Sequence, residues 1–492
     1  MPAPLPKEFR DDVLAGVRAV VEAFLGQEAL VALDFAVVAG RVGADPLVPA
    51  DEGPRGAGEG LGGVVGPAAS RHRGLTNPIG TPPGSFRRCP LMKPAAHARP
   101  LSCGQIPATS LSSVGTMSTP EIRPYTLHIP DTELADLRRR LEQTRWPDER
   151  PDAGWSDGLP LNHAQELAEY WRTGFDWRAH ETRLNGTPQF LTKIQSEDIH
   201  FFHLRSSHAD ATPLLLVHGW PSGPTDFLGL APLLTEPDDG PAFHLVIPTI
   251  PGFGVPGPIN GWTLSRAAGA FAELMSRLGY SRFAAHGYDT GAGVVRDLGL
   301  QYPDRVVGVH TTGMLGGEGL TEKTADMSDP EEARAVADGY RYTYDIGAYA
   351  MLQSTRPQSL AYALTDSPVG LMSWLVERFH DWSRIGGGPD EVLDRDEVLT
   401  VVSLYWFFRT AGSSARYYKY GLPDWSEPLA PSTAPTGILV MPDDIGRPVR
   451  RLAEKSDRVL RWSVADRGGH FAAWEQPHVV ADDLRAFFAN LG

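Results

Sequence analysis

Apolar residues fall into two alternating rhythms along the second half of this chain. Short apolar-rich runs at Pro213–Val217, Phe243–Ile247, Arg282–His286, Val306–His310, Thr436–Val440 and Val459–Val464 predict strands, those at 213–217 and 282–286 buried. Between them the spacing changes. From Trp262 to Tyr280, residues Ala267, Ala270, Phe271, Leu274 and Leu278 share one helical face, and Ala292–Leu298 reads as another helix. Val479, Leu484 and Phe487 or Phe488 mark a last helix over about 479–491. Strands alternating with helices predict an α/β fold around a mostly parallel sheet.

The pentapeptide Gly287-Tyr288-Asp289-Thr290-Gly291 joins the run at 282–286 to the helix at 292–298. A strand, a glycine-bounded turn and a helix form the setting of a nucleophile elbow, with glycines permitting the sharp turn. The usual central residue is serine; here it is a carboxylate. Serine attacking a saturated carbon would form an ether, which water does not cleave. A carboxylate forms an alkyl ester, and water attacking its carbonyl carbon regenerates the side chain. Asp289 thus points to displacement at carbon, with an epoxide oxygen or a halide leaving. No Gly-x-Ser-x-Gly or Gly-x-Cys-x-Gly occurs in the chain, so an ordinary esterase would lack its nucleophile. Taken alone, the motif reads equally as a glycine-rich turn with an incidental aspartate.

Other turns supply the remaining parts. The run 213–217 ends in His218-Gly219-Trp220-Pro221, where the backbone N–H of Trp220 is one expected oxyanion donor and that of Thr290 the second. Each such donor is worth roughly 2.7–4 kcal/mol of barrier. Pro221 invites a cis bond after Trp220. The run 436–440 delivers Asp443 and Asp444, and His470 follows in Arg467-Gly468-Gly469-His470-Phe471. Nucleophile, acid, histidine is the chain order of α/β hydrolases. His470 would activate water, oriented by Asp444 in preference to Asp443, since neighbours on an extended segment point apart. His200 and His203 are expected to be structural, and no metal-ligand spacing appears.

Composition narrows the setting. The chain has 492 residues and a net charge of −15, which argues against nucleic acid and anionic membrane as partners. Phe9, Val13, Val17, Val21 and Phe24 predict a helix over about 8–25. From about 43 to 116 the chain is rich in Gly, Pro, Ser and Arg without periodicity, which predicts disorder. Residues 1–116 are expected to lie upstream of a natural start at Met117. Cys89 and Cys103, the two cysteines, fall there; the rest of the chain offers no disulfide framework, which suits a reducing cytoplasm. No signal peptide opens the chain, and no run of about 18 apolar residues provides an anchor.

Over about residues 121–492 the chain resembles the microsomal-type epoxide hydrolases, a group that includes juvenile-hormone and bacterial members. The resemblance rests on Tyr125-Thr-Leu-His-Ile-Pro-Asp131, Leu134-Ala-Asp-Leu-Arg-Arg-Arg-Leu141, Thr144-Arg-Trp-Pro147, Tyr170-Trp-Arg172, Phe175-Asp-Trp-Arg178, Leu184-Asn185 and Pro188-Gln-Phe190. Further matches are Ala363-Leu-Thr-Asp-Ser-Pro-Val-Gly-Leu371, Arg467-Gly-Gly-His-Phe-Ala-Ala473 and Glu475-Gln-Pro477. It implies an α/β-hydrolase fold with a helical lid inserted in the sheet. The implied divisions are an extension at 1–116, a family-type N-terminal segment at 121–205 that wraps over the core, core parts at 206–314 and 431–492, and a lid at 315–430. It also implies two lid tyrosines that protonate the epoxide oxygen. Ala348-Tyr349-Ala-Met-Leu-Gln-Ser-Thr-Arg-Pro357 gives Tyr349, and Ser413-Ser-Ala-Arg-Tyr-Tyr-Lys419 gives Tyr418, with Tyr417 the fallback. A phenol with pKa about 10 can donate at neutral pH. Two positions depart from the family: Thr290 stands where Trp is common, and Asp444 where some relatives carry Glu.

The resemblance therefore implies diol formation from a small apolar epoxide, in the manner of xenobiotic metabolism. It requires no cofactor, and a homodimer is open. Two other readings stand beside it. A haloalkane-type dehalogenase would use the same aspartate, but Thr290 and the paired tyrosines argue against it. A non-catalytic ligand-binding scaffold of the same fold is the third.

Overall fold

The computed structural model describes residues 121–313, 320–383, 393–422 and 429–491. The helix expected over 8–25, the stretch at 43–116, Met117 and both cysteines lie outside the described residues.

Nine strands form one sheet in the order β1-β2-β3-β5-β4-β6-β7-β8-β9. They are β1 (Arg123–Pro124), β2 (Gln189–Ile194), β3 (Glu197–Leu204), β4 (Thr212–Val217), β5 (Phe243–Pro248), β6 (Phe283–Tyr288), β7 (Val306–Thr312), β8 (Ser432–Val440) and β9 (Asp457–Val464). From β5 across to β9 every pairing is parallel. The central runs are apolar throughout because both faces of the sheet are covered. Leu214, Leu215, Leu216, Val217, Phe283, Ala284 and Ala285 are all fully buried. The mostly parallel sheet predicted from these runs is present.

The N-terminal segment does more than wrap. Helices α1 (Asp131–Glu142), α2 (Leu161–Thr173) and α3 (Trp177–Asn185) pack on the core through Leu137, Leu141, Leu167, Trp171 and Leu184. The strands that flank them join the sheet: β1, β2 and β3 form an antiparallel margin, and β3 pairs with β5 from Phe201↔Pro248 to Leu204↔Leu245.

Caps correct two predicted helix boundaries. Thr263 Oγ1 accepts the Arg266 N–H at 3.1 Å, and Gly279 takes φ 86° after the last turn. Such a left-handed glycine ends a helix, so α4 occupies Leu264–Arg277 rather than Trp262–Tyr280. Helix α5 (Thr290–Gln301) follows β6. Between β7 and β8 lie α6 (Pro330–Arg341), α7 (Ala348–Thr355), α8 (Pro357–Asp366), α9 (Pro368–Trp382), α10 (Arg395–Phe407) and α11 (Ala411–Tyr420). The last helix, α12, is Pro477–Phe488. Pro477 suits its first turn, and the core face carries Val480, Leu484, Phe487 and Phe488, with Val479 only half-buried.

The N-terminal helices are tied to this helical insertion. Trp171 Nε1 donates to Ser403 Oγ at 3.0 Å, Tyr170 Oη donates to Asp396 Oδ1 at 2.8 Å, and the Trp155 and His380 rings stack at 3.6 Å. Among the described residues no helix is long and apolar enough to cross a membrane.

Candidate active site

The carboxyl ends of β4, β6 and β8 converge where the connections leave the sheet in opposite directions, the usual crevice for a ligand in an open α/β sheet. At the end of β6, Asp289 caps α5 with φ 50° and ψ −129°. A non-glycine residue held at such a φ stores about 1–3 kcal/mol. The flanking glycines do not take that conformation; they supply room. A Cβ on Gly291 would sit 2.0 Å from the Val217 carbonyl oxygen, and one on Gly287 would sit 2.5 Å from the Gly291 carbonyl carbon. The turn-permitting role read from the sequence is thus one of close approach.

The two oxygens of Asp289 have different surroundings. Oδ1 accepts the Trp220 N–H at 3.0 Å, the Thr290 N–H at 2.6 Å and the Thr290 hydroxyl at 2.9 Å. Oδ2 faces His470 Nε2 at 3.6 Å. The loop carrying Trp220 is fastened by His218, whose Nδ1 pairs with the Gly219 carbonyl at 2.8 Å while Nε2 accepts the Ile250 N–H at 2.9 Å. Burial pushes this imidazole down to about 4, so it stays neutral. The Trp220–Pro221 bond is cis. Gly219 is obligatory here, since a Cβ would lie 2.4 Å from Asp289 Cβ.

His470 hangs between two carboxylates. Its Nδ1 lies 2.7 Å from Asp444 Oδ1, just beyond β8. Its Nε2 has no hydrogen-bond partner among the described residues. Burial alone would lower the imidazole pKa, but Asp444, by charge and hydrogen bond, together with Asp289 and Glu475, holds it above its ordinary value. Of the adjacent acids, Asp444 makes the contact with His470; the Asp443 N–H is spent on the Gly468 carbonyl at 3.1 Å. The histidine loop is braced on both sides. Glu475 accepts the Gly469 and Phe471 N–H groups at 2.8 and 3.1 Å, and the His470 N–H donates to the Trp382 carbonyl at 2.8 Å.

Aromatic rings cover this group. Tyr349, on α7, stacks on Trp220 with centroids 5.2 Å apart, and Tyr418, on α11, meets both rings edge-on. Burial raises the Tyr349 phenol well above its usual range, helped by Tyr418, Tyr342 and Asp289; burial and the Asp289 charge do the same for Tyr418. Both keep their protons at working pH. A cavity of ≈ 740 Å³ is lined by Asp289, Thr290, Tyr349, Tyr418, Asp444 and His470 among others. Tyr417 is not in that lining; it is buried against Phe253.

Sequence reasoning missed three contributors. Tyr342 also lines the cavity, and its hydroxyl lies 3.0 Å from that of Tyr349. It opens a π-helical turn, Tyr342–Ile346, which shifts the register between α6 and α7. Such turns recur at functional sites, but helical periodicity does not reveal them. Trp382 closes over His470 at 5.0 Å. Glu475 had a visible signal in its position shortly after His470, within reach of the loop amides. His200 pairs with Thr249 and Gln189, and His203 with Tyr280. Among the described residues no group of three or more His, Cys, Asp or Glu is placed to hold a metal ion.

Comparison with known proteins bears on the family and the fold. Residues 122–227 match the family model for the epoxide hydrolase N terminus, and 212–356 match that for the alpha/beta hydrolase fold. A Stigmatella aurantiaca protein, provisionally named an epoxide hydrolase, is 42% identical over 387 residues, covering 75% of this chain and 85% of its own. Epoxide hydrolase 1 of Sus scrofa is 33% identical over 409 residues, covering 75% and 89%. The solved structure of Aspergillus niger epoxide hydrolase superimposes with a TM-score of 0.67 at 29% identity, over 76% of this chain and 97% of that one. With relatives 42% and 33% identical over three quarters of its length, the chain belongs to the epoxide hydrolase family, on the α/β-hydrolase fold.

Proposed function

We propose that the protein opens an epoxide to a vicinal diol through a covalent ester on Asp289. One observation carries the reading: Oδ1 is engaged by three donors while Oδ2 is left facing the cavity and His470. Oδ2 attacks a ring carbon, the carbon–oxygen bond breaks, and the developing alkoxide is held by Tyr349 and Tyr418, one of which gives it a proton. The ester is then attacked at Cγ by water, which loses its proton to His470 Nε2. The imidazolium so formed is stabilised by Asp444. Collapse breaks the Cγ–Oδ2 bond, the departing oxygen takes the proton from His470, and the carboxylic acid left on residue 289 gives its proton to the phenolate, so the sum is epoxide plus water. Leu422, Leu429, Ile445 and Leu452 in the cavity wall support an apolar epoxide. With no cysteine beyond residues 89 and 103, we assign it to a reducing cytoplasm.

A single turnover in water enriched in oxygen-18 tests the scheme. The new hydroxyl should carry protein oxygen on the first cycle. Solvent oxygen in that first diol would sink the ester.

A further inference from the structure

Thr290 offers its side chain, as well as its backbone, to the reacting carboxylate. Its Oγ1 lies 2.9 Å from Asp289 Oδ1, which also receives the Thr290 and Trp220 N–H groups. An ionised carboxylate can only accept, so the hydroxyl donates there. Thr290 is 2% exposed, and bulk water does not compete for the bond.

Resting on the two-step reading above, we propose that the Thr290 hydroxyl is a third oxyanion donor, acting on hydrolysis of the ester. After Oδ2 takes the alkyl group, Oδ1 is the ester carbonyl oxygen. Water then bonds to Cγ, its proton passes to His470 Nε2, and the carbonyl electron pair moves onto Oδ1. Full negative charge arrives where three donors already converge, so little reorganisation is required. Collapse restores the Cγ–Oδ1 double bond and breaks Cγ–Oδ2, and the departing oxygen takes the proton from His470. The first step makes the opposite demand. Oδ1 loses negative charge as Oδ2 attacks, so the same hydroxyl restrains alkylation slightly. Deleting it should shift the two half-reactions in opposite directions, a signature that no loss of packing produces.

Thr290→Val removes the hydroxyl and keeps both the branched shape and the backbone donor; Thr290→Ala removes it without placing a methyl near Oδ1. Rapid-quench mass spectrometry of the full chain with styrene oxide follows ester formation and decay separately. In both variants ester decay should slow by about 10- to 100-fold, at or below the usual cost of one oxyanion donor. Formation should be no slower, and ester should accumulate. Thr290→Ser should restore most of the lost rate. Decay unchanged in both variants while ester is seen would overturn the proposal and leave the two-step reading intact. Slower formation with unchanged decay would also overturn it, making the hydroxyl an orienting group only. If no ester forms even in His470→Gln, the two-step reading falls, and this proposal with it.

Discussion

Asp444 Oδ1 lies 2.7 Å from His470 Nδ1, and this bond turns the opposite ring nitrogen toward Asp289. Replacing the acid should spare alkylation and cripple the water step. Asp444→Asn should lower ester hydrolysis by about 10³- to 10⁴-fold, as when the orienting acid of a hydrolytic triad is removed. Mass spectrometry should show the adduct on Asp289 persisting. An adduct that cleared at the normal rate would remove Asp444 from the proposed group.

The pH dependence follows from the raised imidazole. His470 must be neutral at Nε2 to take a proton from water, and its neighbours keep it protonated to higher pH than a free imidazole. The His470 titration of the free protein should therefore be centred above about 6.5, and ester hydrolysis should rise with pH as this ring loses its proton. Alkylation neutralises Asp289, one of the groups that raise it, so the limb measured on the ester should lie below the His470 titration of the free protein. NMR titration beside single-turnover rates would check both.

In the proposed mechanism Tyr349 and Tyr418 share the task of meeting the epoxide oxygen. Either Tyr→Phe change should slow adduct formation by about 10- to 100-fold, and the double change should nearly abolish it, in line with the usual 10²–10⁴ for a positioned acid. Full alkylation in the double variant would show that other groups meet that oxygen.

Tyr342 stands one bond further out, against Tyr349. Either hydroxyl can be the donor in the 3.0 Å pair with Tyr349, but once Tyr349 has given its proton to the substrate the phenolate only accepts, and Tyr342 then donates to it. Hydrogen bonds to charged groups are worth about 1.5–3 kcal/mol, so Tyr342→Phe should slow alkylation by about 10- to 100-fold with ester hydrolysis untouched. The alkaline limb of alkylation should also move, a change that simple loss of packing would not cause.

Beneath the elbow, Asp226 is wholly buried beside Tyr288 and Ser222. Burial pushes its carboxyl up to about 7, against the lowering pull of the hydrogen bonds from Tyr288, Ser222 and Gly223. A carboxyl with a raised folded-state pKa binds its proton more tightly when folded. Its stabilising contribution is full below the unfolded value of about 3.9 and is lost as pH rises through about 7. Asp226→Asn does not titrate, so melting temperature should fall less between pH 5 and 8 than in the unaltered protein. Equal slopes would refute this.

Much of the fold was legible because buried parallel strands are written as apolar-rich runs, and turns such as His218-Gly219 and Gly468-Gly469 follow them. Asp289, Asp444 and His470 stood at those ends, and the distances bring them together. Tyr349 and Tyr418 could be reached only through the family resemblance, because aromatic residues on a helix do not declare which ring faces a cavity. Tyr342 escaped because a π-helical turn breaks the period on which helix reading depends. The sheet margin escaped as well: the apolar character of β2 and β3 is local, but their pairing with β5 is a long-range fact.

That margin constrains how the protein can be shortened. A chain begun at the first parallel strand would keep every reacting group yet bare the backbone edge of β5, an invitation to aggregate. It would also strip the lid of anchors such as Trp171 on Ser403 and Tyr170 on Asp396. The part of the sequence that supplies no chemistry is the scaffolding that keeps the roof over it.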